Sequence, residues 1–236
     1  MSALRIAVVG DGKMGRAVAA LAAERGAGVV AVVGARDNVD GAGLTRARLG
    51  DAEVVIEFTE PRSAPANIRA AVRAGYPVVC GTTGWLEQLP EVAAEVTARG
   101  GALVHAPNFS IGVNLFLAIA ADAARVMRRA SEFDAHIVET HHAAKKDAPS
   151  GTALAIAHAV EPPLGHAVPV TSVRTGYVPG THELSFDGPF EQIRLSHIAR
   201  DRRVFADGAL RAAEWVRGRR GVFTMRDVLD LGAETG

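Results

Sequence analysis

Glu139-Thr-His-His-Ala-Ala-Lys-Lys-Asp-Ala-Pro-Ser-Gly-Thr152 gathers two histidines, two lysines and a short polar turn into fourteen residues. Imidazole exchanges its proton near neutral pH, and an ammonium group both attracts anions and, once desolvated, gives up a proton. Adjacent residues on a strand point to opposite faces, so His141 and His142 serve different surroundings if the strand continues. Lys145 lies three to four residues on and returns towards them in a turn. Asp147, Pro149 and Ser150 favour a helix start, where first-turn N–H groups are free to hold an anion. Gly151 lets a ligand approach closely, and Ser150 and Thr152 add hydroxyls. A dicarboxylate fits this inventory. One carboxylate meets the amides near Gly151 and Thr152, the other meets Lys145 or an arginine, and a histidine or lysine acts as general acid. Zinc held by Glu139, His141 and His142 is the competing reading. Their spacing along a strand splits them between faces, so no metal is expected.

The elements that must position this stretch can be read from the flanking pattern. A strand over 134–140 precedes it, and an alanine-rich helix over 151–160 follows, broken by Glu161-Pro-Pro-Leu-Gly165. Before these, Gly112 to Arg129 reads as an amphipathic helix with Leu115, Ile119, Ala123 and Val126 on one face. After them come three strand candidates, Val168–Val173, His182–Phe186 and Gln192–Ile198. Together they predict a mixed sheet with one helical face, able to serve as an oligomer interface. A helix through about Val216 leads to the basic group Arg217-Gly-Arg-Arg220, read as a solvated loop. Thr224 with Asp227 three positions on resembles a capping box at the start of a last helix.

The first half supplies a different chemistry. The apolar run Leu4–Val9 leads directly into Gly10-Asp11-Gly12-Lys13-Met14-Gly15, and a helix is expected over Arg16–Arg25. Strand, G-x-G-x-x-G and helix in this order form a dinucleotide fingerprint, the glycines permitting a tight turn and the approach of a pyrophosphate. Past a second strand, Val29–Val33, an acidic residue is expected to hold the adenosine ribose. Asp37 can do so, while Arg36 can meet a 2′-phosphate, so NADH and NADPH both stay open. Further strands at Val54–Phe58, Pro77–Cys80 and Ala102–His105 alternate with helices near 62–74 and 86–99. This alternation predicts an α/β fold, a Rossmann-like doubly wound parallel sheet, followed by a second α+β domain with the mixed sheet. Ligands of such sheets lie at the strands' carboxyl ends, here Phe58-Thr59, Gly81-Thr82-Thr83-Gly84 and Ala106-Pro107-Asn108-Phe109.

Composition narrows the remaining classes. Hydrophobic residues make up 48% and the formal net charge is zero, so bulk electrostatics favours neither nucleic acid nor an anionic membrane. A single cysteine, Cys80, excludes an internal disulfide and fits a reducing, cytoplasmic setting. No basic-then-apolar leader and no apolar run of about 20 residues is seen. Two other readings fit the same features, another two-domain dehydrogenase of amino-acid metabolism and a dinucleotide sensor without catalysis.

Taken together, these motifs closely resemble the dihydrodipicolinate reductase family. The resemblance runs through Gly10–Arg16, Glu57-Phe-Thr59, Gly81–Gly84, Ala106–Asn114, Glu139–Thr152, Phe205-Ala-Asp-Gly208 and Met225–Leu229. It implies reduction of a cyclic imine dicarboxylate to tetrahydrodipicolinate with NADH or NADPH, in lysine synthesis through diaminopimelate. It implies His141 as acid–base residue and Lys145 as proton donor, with His142, Gly151, Thr152 and Arg202 on the substrate. Gly10, Asp11, Gly12, Lys13, Met14, Gly15, Gly81, Thr82, Thr83, Ala106, Pro107, Asn108 and Phe109 would contact the cofactor, with Arg36 and Asp37 at its ribose. It also implies a homotetramer built through the second domain's sheet. The expected domains are residues 1–110 with a returning 208–236 for the dinucleotide, and 111–207 for substrate and oligomerisation.

Overall fold

A computed structural model describes residues 3–232; the ends of the expected dinucleotide domain, residues 1–2 and 233–236, lie outside the described residues. The chain forms two compact units. One takes in the chain up to Ile111 together with the chain from Phe205 onward, and the other is Gly112–Val204.

The first unit is built on six parallel strands. β1 (Arg5–Val9), β2 (Gly28–Val33), β3 (Val54–Glu57), β4 (Val78–Cys80), β5 (Ala102–His105) and β10 (Gly221–Phe223) lie in the order β10-β5-β4-β3-β1-β2. Their near-continuous apolar runs reflect burial on both faces. Ile6 and Val8 pack to one side, in a cluster with Ala206, Leu210 and Met225; Ala7 and Val9 pack to the other, with Ile68 and Val92. Helices α1 (Lys13–Glu24), α2 (Arg46–Leu49), α3 (Ala64–Arg73) and α4 (Leu89–Ala98) connect the strands. The chain leaves β1 for β2 on one side and returns to β3 on the other, so the glycine loop opens at the switch point of the sheet. β10 went unpredicted. It pairs with β5 from Gly221↔Ala102 to Phe223↔Val104, and three residues carry no periodicity to read.

In the second unit, β6 (Asp134–His141) pairs parallel with β7 (Val170–Arg174) and antiparallel with β8 (Thr181–Asp187), which pairs antiparallel with β9 (Gln192–Ile198). Helices α5 (Ile111–Met127) and α6 (Gly151–Leu164) share its core with Ile137, Leu184 and Phe186. Two expectations are corrected here. The Glu161-Pro-Pro segment does not break α6, which runs on to Leu164 and ends at Gly165, a left-handed cap with φ 82°. Prolines so near the end remove N–H groups from the last turn only, and the Gly165 N–H still reaches the Glu161 carbonyl at 2.8 Å. In α5 the buried stripe is Val113, Phe116, Ala120 and Ala124, whereas Leu115, Ile119 and Val126 are exposed. The helix is apolar nearly all round, so periodicity did not select a face; the small Ala120 and Ala124 side chains suit close packing. Beyond β10, Thr224 caps α8 (Met225–Val228) through the expected box with Asp227. Among the described residues no helix is long and apolar enough to cross a membrane.

Candidate active site

The register of the second sheet explains how ionisable groups gather on a face that is otherwise apolar. Val170, Ile137, Leu184 and Leu195 align across the four strands as one apolar rung. Two residues along β6, the rung becomes Ser172, Glu139, His182 and His197. The next contains Arg174 beside His141. Glu139, His141 and His182 are all buried. The Glu139 carboxylate therefore stands in a place where an unpaired charge would be very costly, and it is fully paired. One oxygen contacts His141 Nδ1; the other accepts from Arg174 Nη2 at 2.6 Å and from the Ser150 N–H at 3.3 Å. Burial alone would raise its pKa, but hydrogen bonds from Arg174, Ser172 and His141 outweigh this and hold it at about 2. For His141, burial lowers the pKa while Glu139 opposes the shift. His182 packs edge-on against His141, with ring centroids 5.1 Å apart, and burial with its histidine neighbours brings it down to about 4.

Room for the His141 ring is made by an absent side chain. A Cβ on Gly180 would lie 3.0 Å from His141 Nε2. Past β6, His142 is half-buried and its backbone N–H meets the Val178 carbonyl at 2.8 Å. Lys145 turns back, its N–H bonding the His142 carbonyl at 3.1 Å, as its spacing predicted. Its ammonium is held by both Asp147 oxygens at 2.7 and 2.8 Å, and that bond lowers the Asp147 pKa. Arg174 Nη2 also reaches the Asp147 carbonyl at 2.6 Å. Ser150 caps α6 by accepting from the Ala153 N–H, and its Oγ lies 3.3 Å from His182 Nε2. At the helix start Gly151 is exposed, and a Cβ there would meet nothing within 4 Å. Thr152 follows on the helix, and Arg202 is exposed just before α7 (Arg203–Val216). Sequence reasoning missed Arg174 and His182 as members of this group. Only the pairing of β6 with β7 and β8 brings them to Glu139 and His141.

Glu139, His141 and His182 also offer ligand atoms within 4.8 Å of one another. The zinc alternative weighed from the sequence used His142, which lies beyond the strand; His182 takes that place. Both Glu139 oxygens are already engaged by a guanidinium and an imidazole, and a divalent cation would have to displace them. The arrangement is that of a hydrogen-bonded acid–base group.

In the first unit, the glycine loop meets the steric demands of a pyrophosphate cradle. A Cβ on Gly10, at φ 105°, would lie 2.1 Å from the Phe58 carbonyl oxygen, and one on Gly15 would lie 1.8 Å from that of Gly10. Gly12 faces open space and caps α1 with no side-chain bond, leaving the first turn accessible to an anion. Lys13 is exposed beside it, while Met14 is partly buried against the core. The Asp11 carboxylate lies 2.8 Å from where a side chain on Gly34 would begin, so an acidic group stands at the end of β2. Asp37 is paired with Arg48 at 2.9 Å, and Arg36 is exposed. At the other strand ends, the Phe58 ring covers Gly81 and meets Phe109 edge-on, and Thr82 Oγ1 accepts the Thr59 N–H at 2.7 Å. Thr83, Ala106 and Pro107 border a small cavity of about 20 Å³ at the ends of β4 and β5, and Asn108 Oδ1 holds the Ser110 N–H at 2.8 Å. Cys80 is buried against Glu57, and burial pushes its thiol pKa well up. It is no nucleophile, which removes the thioester route of an aldehyde dehydrogenase.

A dinucleotide-type sheet in one unit and a buried acid–base group in the other define a two-unit, nicotinamide-dependent oxidoreductase. Family models describe the same pair of units: residues 4–109 match the dihydrodipicolinate reductase N-terminus and residues 112–229 its C-terminus. The chain belongs to the dihydrodipicolinate reductase family, whose members use NADH or NADPH. It is 37% identical over 267 residues to the 4-hydroxy-tetrahydrodipicolinate reductase of Thiobacillus denitrificans, an alignment covering 97% of this chain and 99% of that protein. The protein of that name from Christiangramia forsetii is 31% identical over 238 residues, covering 96% and 98%. The fold also matches dipicolinate-bound dihydrodipicolinate reductase from Paenisporosarcina sp. TG-14, with a TM-score of 0.78 at 23% identity, covering 94% of this chain and 98% of that one.

Proposed function

We propose that this chain reduces 4-hydroxy-tetrahydrodipicolinate, or the dihydrodipicolinate formed from it by loss of water, to tetrahydrodipicolinate in lysine synthesis. The observation that carries the residue roles is the buried Glu139–His141 pair beside Lys145–Asp147 and the open helix start at Gly151. NADH or NADPH supplies hydride when bound to the first unit, which serves as the dinucleotide-binding domain; the second is the substrate and oligomerisation domain. Gly151, Thr152, His142 and Arg202 hold the two carboxylates and so orient the ring. In dihydrodipicolinate, the form left once the 4-hydroxyl has departed as water, hydride would add at the ring carbon conjugated with the imine, the electron pair would move towards the ring nitrogen, and the resulting enamine would take a proton from His141 or Lys145. In the free protein burial favours neutral His141; a bound dianion beside it favours the imidazolium and readies it as an acid.

At the ribose, Arg48 neutralises Asp37 and leaves Arg36 to meet a 2′-phosphate, which supports NADPH over NADH. The protein works in the cytoplasm as a homotetramer, a reading supported by its single, buried cysteine and the uncovered face of the second sheet. A spectrophotometric assay of NADH and NADPH oxidation with the substrate tests the reaction. His141→Gln is expected to lower kcat by about 10²–10⁴-fold, with Lys145→Ala in the same range, and Arg36→Ala to weaken NADPH more than NADH. Near-normal turnover in both His141→Gln and Lys145→Ala would overturn the roles given to them.

A further inference from the structure

The structure assigns Glu139 as the positioning residue of the reaction: it fixes His141 through Nδ1 and is itself fixed by Arg174 and the start of α6. This assignment rests on the reading of His141 as the acid. Glu139 lies on β6 two residues before His141, so both side chains share the face that packs against α6. Its carboxylate joins three elements, with His141 on β6, Arg174 on β7 and the Ser150 N–H at the cap of α6. His182 also touches both, packing edge-on against His141 with its Nε2 at 3.3 Å from Ser150 Oγ, but it is Glu139 that bonds the imidazole itself.

The consequence for His141 is chemical as well as geometric. A carboxylate on Nδ1 requires that nitrogen to carry the proton, which leaves Nε2, beside the bare Gly180, to exchange protons with a ligand. The carboxylate also stabilises the imidazolium that burial opposes. The charged and titratable groups around His141 are Glu139 on its own strand, Arg174 on β7, His182 on β8 with His197 beyond it on β9, and Lys145 with Asp147 in the following turn. Of these, Lys145 and Arg174 disfavour the imidazolium and Glu139 favours it. Neutralising Glu139 and removing the Arg174 cation must therefore move the acid in opposite directions. A role limited to holding the fold up has no such sign.

The test is the pH dependence of kcat/KM in the full-length protein with its cofactor, for wild type, E139Q, E139D, R174M and H141Q. In wild type, activity falls on the alkaline side as His141 loses its proton. In E139Q that limb moves to lower pH, and kcat falls by about 10-fold or more, up to about 10⁴-fold where neutralising the carboxylate leaves the histidine in the wrong tautomer. E139D retains a carboxylate and returns the limb towards its wild-type position. In R174M, losing the guanidinium moves the limb to higher pH. If E139Q does not fold, R174M and E139D still carry the test. A limb that stays at the wild-type pH in every folded Glu139 and Arg174 variant overturns the assignment, even if activity drops. H141Q separates the two failures. If it keeps wild-type turnover and the same limb, the acid was misidentified; if it abolishes the limb while E139Q and R174M leave it unmoved, only the role of Glu139 is lost.

Discussion

A histidine with its pKa pushed below the ordinary range makes folding depend on pH even when it never meets substrate. His182 carries its proton near pH 6.5 when unfolded but only near about 4 when folded. Between those values the unfolded chain binds more protons, so stability is full above pH 6.5 and declines as pH falls towards 4. Glu139, depressed to about 2 from an ordinary 4.5, acts in a separate and lower window, its contribution lost only as pH drops from 4.5 towards 2. We expect thermal melts of wild type to lose Tm steadily from pH 6.5 to 4, and His182→Gln to show a shallower slope there. The slope does not vanish, because His105, His141 and His197 are pushed down by burial too. Equal slopes in the two proteins would show that His182 titrates normally in the fold. Little of this was visible in the sequence. His182 read as one position of an alternating strand, and its partners arrive from 41 and 43 residues away, across the pairing of β6 with β8, so local spacing held no trace of them.

At the scale of elements, the junction between β6 and α6 separates what the sequence shows from what folding adds. Its residue types were legible, because a helix cap, an open glycine and a returning lysine depend on local backbone geometry alone. The helix end was not, since the cost of Pro162 and Pro163 depends on how near the end they fall and on the Gly165 cap. The buried stripe of α5 was not legible either, because a helix apolar on several faces is oriented by what it packs against. The junction yields a clean contrast between two neighbouring substitutions. Ser150→Ala removes the cap and the partner of His182 Nε2, so it should lower stability by about 1 kcal/mol or more. Gly151→Val sets its Cβ where no other atom lies within 4 Å, and valine is no worse than glycine in a helix, so stability should change by less than about 1 kcal/mol. Its effect falls on the substrate, whose KM should rise while that for the cofactor does not. An unchanged substrate KM in Gly151→Val would place the dicarboxylate elsewhere; denaturant melts and steady-state kinetics read both variants.

The scale of the whole molecule is where the second sheet's outer face matters. Its inner face is closed by α5 and α6, so the alternate residues, Val138 and Thr140 on β6, Thr171 and Val173 on β7, Ser196 and Ile198 on β9, point the other way. Ile198 is 66% exposed and Val173 37%, and the same face also carries the Arg194–Glu183 pair, 3.8 Å apart. An antiparallel sheet can present one face to water, but such a face is normally polar. Four copies joined through it would bury these side chains, and a stable contact removes roughly 1,200–2,000 Å² in total. With a formal net charge of zero, the chain as a whole has little electrostatic reason to stay apart. We therefore expect wild type to sediment as a tetramer, and the double substitution of Val173→Lys with Ile198→Lys to give dimers or monomers. Like charges would then face each other across every contact, and neither side chain belongs to the His141 face of the sheet. Cofactor binding, which belongs to the first unit, should be kept in the smaller species. Sedimentation velocity with a parallel NADPH titration measures both. A wild type that runs as a monomer, or a doubly substituted protein that still runs as a tetramer, would rule this face out as the contact.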